Sequence, residues 1–285
     1  MKVRSSEKEL YLFLLPSIFI LLAIGIYPTA YTIYTSLHDS TLIKSGEFVG
    51  LSNYANILSN GRFWNSMYVS ALFVAGCAGL ELIVGLGLAL LLNREFKGRS
   101  VARVLLILPM VSTPVVVGIL FRLLYDADFG AINYFLNLVG IPNHPWLGDP
   151  STALPALVMA DVWEWSPFMM VILLAGLQAL PRDPFEAAVI DGASRIQIFR
   201  YLTLPMLKRT LLIGLLLRTV DSFKEFDKIY VTTLGGPGTT TEVASLYVYK
   251  VGFVFLRIGD AAAMAIIMLI IVMMVSNLYL KFIKE

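Results

Sequence analysis

The stretch 183-DPFEAAVIDGASRIQIFRYLTLP-205 packs an unusual density of helix signals into 23 residues. Asp183 suits an N-cap, Pro184 the first helical position, and Glu186 the third, where its carboxylate completes a capping-box pattern. Gly192 suits a left-handed C-terminal turn. Ser194, followed three residues later by Gln197, offers a second capping box. The spacing predicts two short helices joined at Gly192, the second stopped by Pro205. Phe185, Ala188, Val189, Ile196, Phe199 and Leu202 fall between charges and make the pair a compact apolar knob. Such a knob serves either as a dock for a protein groove or as an amphipathic elbow on lipid headgroups, and the residues alone leave both open.

Around this stretch the chain is strongly apolar. Of its 285 residues 58% are hydrophobic and 15% charged, with a mean hydropathy of +0.76, too much apolar surface for a water-soluble domain. A bilayer core of about 30 Å takes about 20 helical residues. Six stretches meet or approach that length: 10–33, 68–92, 101–125, 154–180, 206–223 and 261–283. The expected fold is therefore all-α, with six transmembrane helices in a single domain over 1–285. Residues 243–256, which include Lys250, read as an interfacial or re-entrant helix. The first apolar stretch exceeds a signal-peptide core and lacks a small-x-small cleavage site, so it reads as a retained span. Prolines 16, 28, 109, 114, 155 and 167 should kink or break spans.

Lys and Arg set the orientation. With the N-terminus inside, the inner segments, from Lys2 and Arg4 through Arg94 to Lys284, hold fourteen of these residues and the outer loops six, Lys228 among the six. Both termini and the loop 181–205 are then cytoplasmic. A net charge of +2, with no run of like charges, argues against a nucleic-acid partner. One cysteine, Cys77, and two separated histidines, His38 and His144, argue against disulfides and metal chemistry. The lack of a paired acid–base or metal constellation leaves no basis for an enzyme.

Ionisable residues inside spans are costly, so each needs a reason. Arg218, Asp221, Ser222 and Glu225 recur at spacings that share one helix face, and that face should meet the bundle interior or water rather than lipid. They either line a substrate path, or Arg218 pairs with Asp221 while Glu225 snorkels outward. Glu81, midway along the second span, reads first as a hydrogen-bonded structural carboxyl and second as path lining. Asp161 and Glu164 suit interfacial anchoring or ligand contact equally. A rival reading makes Glu81, Asp161 and Glu164 the relay of an ion-coupled secondary transporter or channel.

The run Glu186-Ala187-Ala188, with Gly192 and Leu204-Pro205 following, resembles the EAA signature of the permease subunits of binding-protein-dependent ABC importers. Asp191 and Phe199 also fall where the sugar-permease branch has them, while Leu202 replaces a usual isoleucine. Phe48 to Tyr54, Arg103 to Pro109, Trp163 to Pro167 and Leu234 to Pro237 extend the similarity to maltose-type and glycerol-phosphate-type permeases over nearly the whole chain. The resemblance implies a type I, MetI-like permease fold in the inner membrane. It also implies a coupling helix in the 181–205 loop that docks in an ATPase cleft through Glu186, Ala187, Ala188, Asp191, Gly192, Phe199, Leu204 and Pro205. The partners it implies are a second permease, two ATP-binding subunits, an extracytoplasmic solute-binding protein and a sugar. It further implies sugar-lining positions at Arg218, Asp221 and Ser222, and at Asp126, Phe129 and Gly130, where a carboxylate and an aromatic face suit a hydroxyl-rich ring. Gly130 is equally a helix stop. No G-x-x-x-x-G-K-[ST] sequence occurs, so the chain is expected to bind no cofactor, with ATP and Mg used by its partner subunits.

Overall fold

The computed structural model of the protein describes residues 7–41, 43, 44 and 46–284; Lys2 and Arg4, counted above as inner charges, lie outside them. The described residues form helices and two isolated β-bridges, with no strand. In chain order the helices are α1 (Glu7–Leu21), α2 (Tyr27–Ser36), α3 (Ser52–Leu58), α4 (Gly61–Asn93), α5 (Arg99–Val111), α6 (Pro114–Leu124) and α7 (Ala131–Leu138). They continue as α8 (Ala153–Gln178), α9 (Asp183–Ile190), α10 (Arg195–Ile198), α11 (Leu204–Phe223), α12 (Asp227–Thr232), α13 (Ala244–Tyr249) and α14 (Ile258–Lys284). Wider π turns at Leu22–Ile26, Phe199–Thr203 and Lys250–Val254 join α1 to α2, α10 to α11, and extend α13.

Among the described residues four helical runs are long and apolar enough to cross a bilayer: Leu14–Ser36, Gly61–Asn93, Ala153–Gln178 and Ile258–Ile283. The third expected span is not one rod. It breaks between α5 and α6, which bend by 96°, because Ser112 and Thr113 turn extended ahead of Pro114. A residue before proline is pushed out of the helical region, and proline itself is at home in a helix's first turn. Counted as one, the pair gives a fifth crossing. The fifth expected span, α11, has 20 residues, which is the length of a crossing, but it carries Lys208, Arg209, Arg218 and Asp221. The six-span expectation is consistent with these helices. The short apolar run 244–254 is too short to be a further span.

By contact the described residues form two compact units, those up to 63 with 248–270 and those of 64–247 with the remainder from 271 on. In the first, Asn53 donates to the carbonyls of Ser36 (2.9 Å) and His38 (3.0 Å), and the Gly259 amide donates to Ser40 (2.9 Å), so the loop after α2 is pinned at the start of α14. In the second, α4, α8 and α11 pack Ala89, Leu92, Met169, Met170, Leu173, Leu174, Leu177 and Leu207 into one core. Another cluster joins Val117, Phe121 and Tyr125 to Ala156 and Ala160 of α8.

Helix α12 folds back against α6, where Gly118 leaves the room: a Cβ there would come within 2.4 Å of Val231 and 3.2 Å of the Lys228 Cα. Gly118→Val should therefore destabilise the chain by about 1–3 kcal/mol through overpacking. A lowered thermal midpoint in mild detergent checks this, and an unchanged midpoint would show that α12 is not seated on α6.

Candidate functional site

The stretch 181–205 does fold as two short helices about Gly192, with two local differences from expectation. Asp183 is not the cap; it is the first residue of α9, Arg182 holds the cap position without a side-chain bond, and Pro184 sits in the first turn. Glu186 lies in that same turn, where a carboxylate meets the positive end of the helix. At the far end Gly192 takes φ +78°, which lets the Ala193 amide donate back to Ala188 O at 2.9 Å and the Gly192 amide to Val189 O at 3.1 Å. Ser194 then caps α10 reciprocally: its Oγ accepts from the Gln197 amide (3.3 Å) and its own amide donates to Gln197 Oε1 (2.7 Å).

Nor does Pro205 stop the second helix. The chain runs through the π turn 199–203 into α11, with the Leu204 amide donating to Phe199 O; this wider turn takes up Pro205, which sits in the first turn of α11. The apolar residues then divide. Phe185, Ala188, Phe199 and Leu202 turn partly inward, whereas Val189, Ile190, Ile196 and Tyr201 are 65 to 84% exposed. Glu186, Ala187, Asp191 and Gly192 are exposed among them, and Leu204 and Pro205 begin α11.

The second assembly is a buried charge cluster. Arg218 of α11 donates to both carboxylate oxygens of Glu81 on α4 (Nε 2.5 Å, Nη2 2.9 Å), to Asp161 on α8 (2.8 Å) and to Ser222 Oγ (3.1 Å). Its guanidinium lies 4.8 Å from the Trp165 ring centre. Lys228 of α12 donates to Asp161, to Glu164 (2.6 Å) and to Glu225 (3.1 Å), so its three ammonium donors meet three carboxylates. Asp161 thus bridges the two cations. Side chains of Glu81, Asp161, Glu164, Arg218 and Lys228 are at most 2% exposed. Cys77 lies beside Glu81 and Asp161, with ligand atoms within 4.8 Å of one another, but a guanidinium already occupies those carboxylates and opposes a metal ion there.

Sequence reasoning placed Lys228 in an outer loop; it is 1% exposed and half of the cluster's positive charge. No local sequence signal marked it: its partners Asp161 and Glu164 lie on α8, more than sixty residues away in the chain, and only the fold brings them to it. Arg218 does not pair with Asp221, which instead meets Lys224 at 2.8 Å and is 41% exposed, and Glu225 turns in to Lys228 rather than outward. At the end of α6, Asp126 Oδ1 accepts from the amides of Phe129 (2.9 Å) and Asp128 (3.0 Å), which together hold its carboxyl below the usual carboxylate range. Phe129 is 91% exposed. Gly130 starts α7 rather than stopping a helix, and a Cβ there would strike Asp126 O at 2.3 Å.

The described residues thus form an apolar, all-helical chain with a capped, exposed two-helix element and with α4, α8, α11 and α12 tied through buried charges. The chain belongs to the family described as binding-protein-dependent transport system inner membrane component, whose profile matches residues 81–284. It is 41% identical to the trehalose/maltose transport system permease protein MalF of Thermococcus litoralis, over 98% of this chain and 95% of that protein. It is 34% identical to the sulfoquinovosyl glycerol transport system permease protein SmoG of Agrobacterium fabrum, over 96% and 89%. A chain in the crystal structure of a bacterial alginate ABC transporter, in complex with an alginate pentasaccharide-bound periplasmic protein, superposes with a TM-score of 0.84 at 20% identity, over 96% and 93%. The fold is thus that of type I ABC importer permeases, and the ion-coupled reading of Glu81, Asp161 and Glu164 is not favoured: all three acids are committed to Arg218 or Lys228.

Removing one partner of a buried pair strands the other charge. Lys228→Met, which leaves three carboxylates facing one another, is expected to cost about 3–5 kcal/mol. Lys224→Met, at a site 72% exposed, is expected to stay within about 0.5 kcal/mol. Thermal midpoints of the two variants in the same detergent check the contrast; equal midpoints would remove the cluster's structural role.

Proposed function

We propose that the chain is the sugar-conducting membrane subunit of an importer driven by separate ATPases, and that it binds no cofactor and performs no covalent chemistry itself. The observation that carries this is the exposed apolar surface of α9, α10 and the π turn that follows, where Val189, Ile190, Ile196 and Tyr201 stand uncovered in the same element as the exposed Glu186 and Gly192. Large apolar side chains on a capped, rigid knob gain most by entering a protein groove. Relatives named for trehalose/maltose and sulfoquinovosyl glycerol transport favour a carbohydrate cargo. The assembly is then two permease subunits, two ATP-binding subunits and an extracytoplasmic solute-binding protein, with both termini of this chain cytoplasmic.

Transport proceeds by alternating access. Closure of the ATPases drives the knob, the spans open the path outward to the binding protein, and reset opens it inward. The path runs along α11 past Asp221, with Arg218, Ser222 and Glu225 behind it, and meets Asp126, Phe129 and Gly130 at the outer end of α6. Asp221 and Phe129 present accessible groups to a sugar, a carboxylate for hydroxyls and an aromatic face for the ring.

Gly192→Pro demands φ near −65° where the chain holds +78°. Together with Glu186→Lys it should abolish ATP-dependent uptake and copurification of the ATPase while leaving the spans folded; retained uptake in both variants would overturn the docking role. Asp221→Ala should weaken sugar uptake about 10-fold or more, the worth of a hydrogen bond to a charged group, without loss of assembly. Loss of assembly instead would make Asp221 structural. Uptake that survives ATP depletion and collapses with an ion gradient would overturn the reading as a whole.

A further inference from the structure

Helix α7 has one face fixed and the other uncovered. On the fixed face Asn133 is 1% exposed and all its hydrogen-bonding groups are engaged. The two hydrogens of its amide nitrogen are shared among the carbonyls of Asp126 (3.3 Å), Ala127 (3.1 Å) and His144 (3.0 Å), and its oxygen accepts from the His144 amide (3.3 Å) and from Trp146 Nε1 (2.9 Å). Beside it Ile132 packs on the cluster of Val117, Phe121 and Tyr125. The helix therefore cannot roll to hide its other side. That side carries Tyr134, Phe135, Leu138 and Val139, each 63 to 72% exposed, with Phe129 and Ile141 uncovered at its two ends.

Between Phe129 and Gly148 there is no Asp, Glu, Lys or Arg. A surface without charge over that length is unsuited to bulk water, and it offers no ion pair to a protein partner. On α6, the preceding helix, Val116, Ile119 and Leu123 are exposed as well, and uncharged apolar faces of this kind suit the surface that a membrane chain turns to lipid. We propose that α7 lies in the outer membrane interface, with its apolar face at the boundary between headgroups and acyl chains, and thereby fixes the depth of the broken span's outer half and of Asp126, Phe129 and Gly130. Aromatic residues such as Tyr134 and Phe135 suit this boundary. With no basic residue on the helix, the anchorage is apolar and independent of anionic lipid, unlike that of a basic amphipathic helix.

The test uses the whole transporter in vesicles of phosphatidylethanolamine and phosphatidylglycerol. Cys77 is the only cysteine and is fully buried, so Leu138→Cys can be spin-labelled selectively, with the unsubstituted chain as control. Collision with oxygen should exceed collision with a water-soluble nickel chelate several-fold relative to Ser151→Cys, an exposed polar site of the same loop. Val139→Cys should behave like Leu138→Cys, and neither should respond to a change in the phosphatidylglycerol fraction or in salt. Nickel-dominated collision at both sites would overturn the proposal by placing the face in water. Protection from both reagents only when the solute-binding protein is added would overturn it in favour of a protein dock.

Discussion

Two cations buried among four carboxylates set the terms for the rest of the second unit. Arg218 and Lys228 reach Glu81, Asp161, Glu164 and Glu225 from four different segments, α4, α8, α11 with its following turn, and α12. None of these charges could be left in the interior alone, because desolvating an ion without a partner costs several kcal/mol. Each helix therefore needs the others in one register. The apolar core of α4, α8 and α11 is non-directional and would tolerate small slides between helices; the bidentate Arg218–Glu81 geometry does not.

The same constraint explains why α12 turns back instead of leading away from the bundle. A six-residue helix has little stability of its own. It is held at one point by Lys228 and along its side by contact with α6, and Thr232 returns its hydroxyl to the Lys228 carbonyl at 2.6 Å. A short segment fastened by charge to α8 at its start and by close packing to α6 along its length is held in register with both.

Much of this was legible in the sequence, but unevenly. Helix content, span positions and the two-helix element followed from apolar run lengths and from Gly192, Ser194 and Gln197, since these depend on local backbone chemistry. Asp183 misled because a proline beside it fits either of the first two helical positions, and the helix began one residue early. Pro205 misled because a π turn can absorb a residue that would break a regular helix. Lys228 was invisible for a different reason. A lysine in a polar loop and a lysine folded back onto three acids look the same until the acids' positions in space are known. Asp221 and Arg218 share a helix face by spacing, yet neighbours on α4 and α8 decide which of them is buried.

The division between the two assemblies has a mechanical meaning. The knob of α9 and α10 is joined to the charge cluster through α11 without an intervening loop, because the π turn 199–203 passes one helix into the next. Arg218 lies fourteen residues beyond Leu204, about 21 Å along the same helix at 1.5 Å per residue. The link from α9 and α10 to Arg218 is thus a continuous helical path rather than a flexible tether, and Arg218 cannot move relative to Glu81 and Asp161 without exposing unpaired buried charge. Under the docking role proposed above, a displaced knob would carry α4, α8 and α11 as a group or be taken up within the wide turn itself.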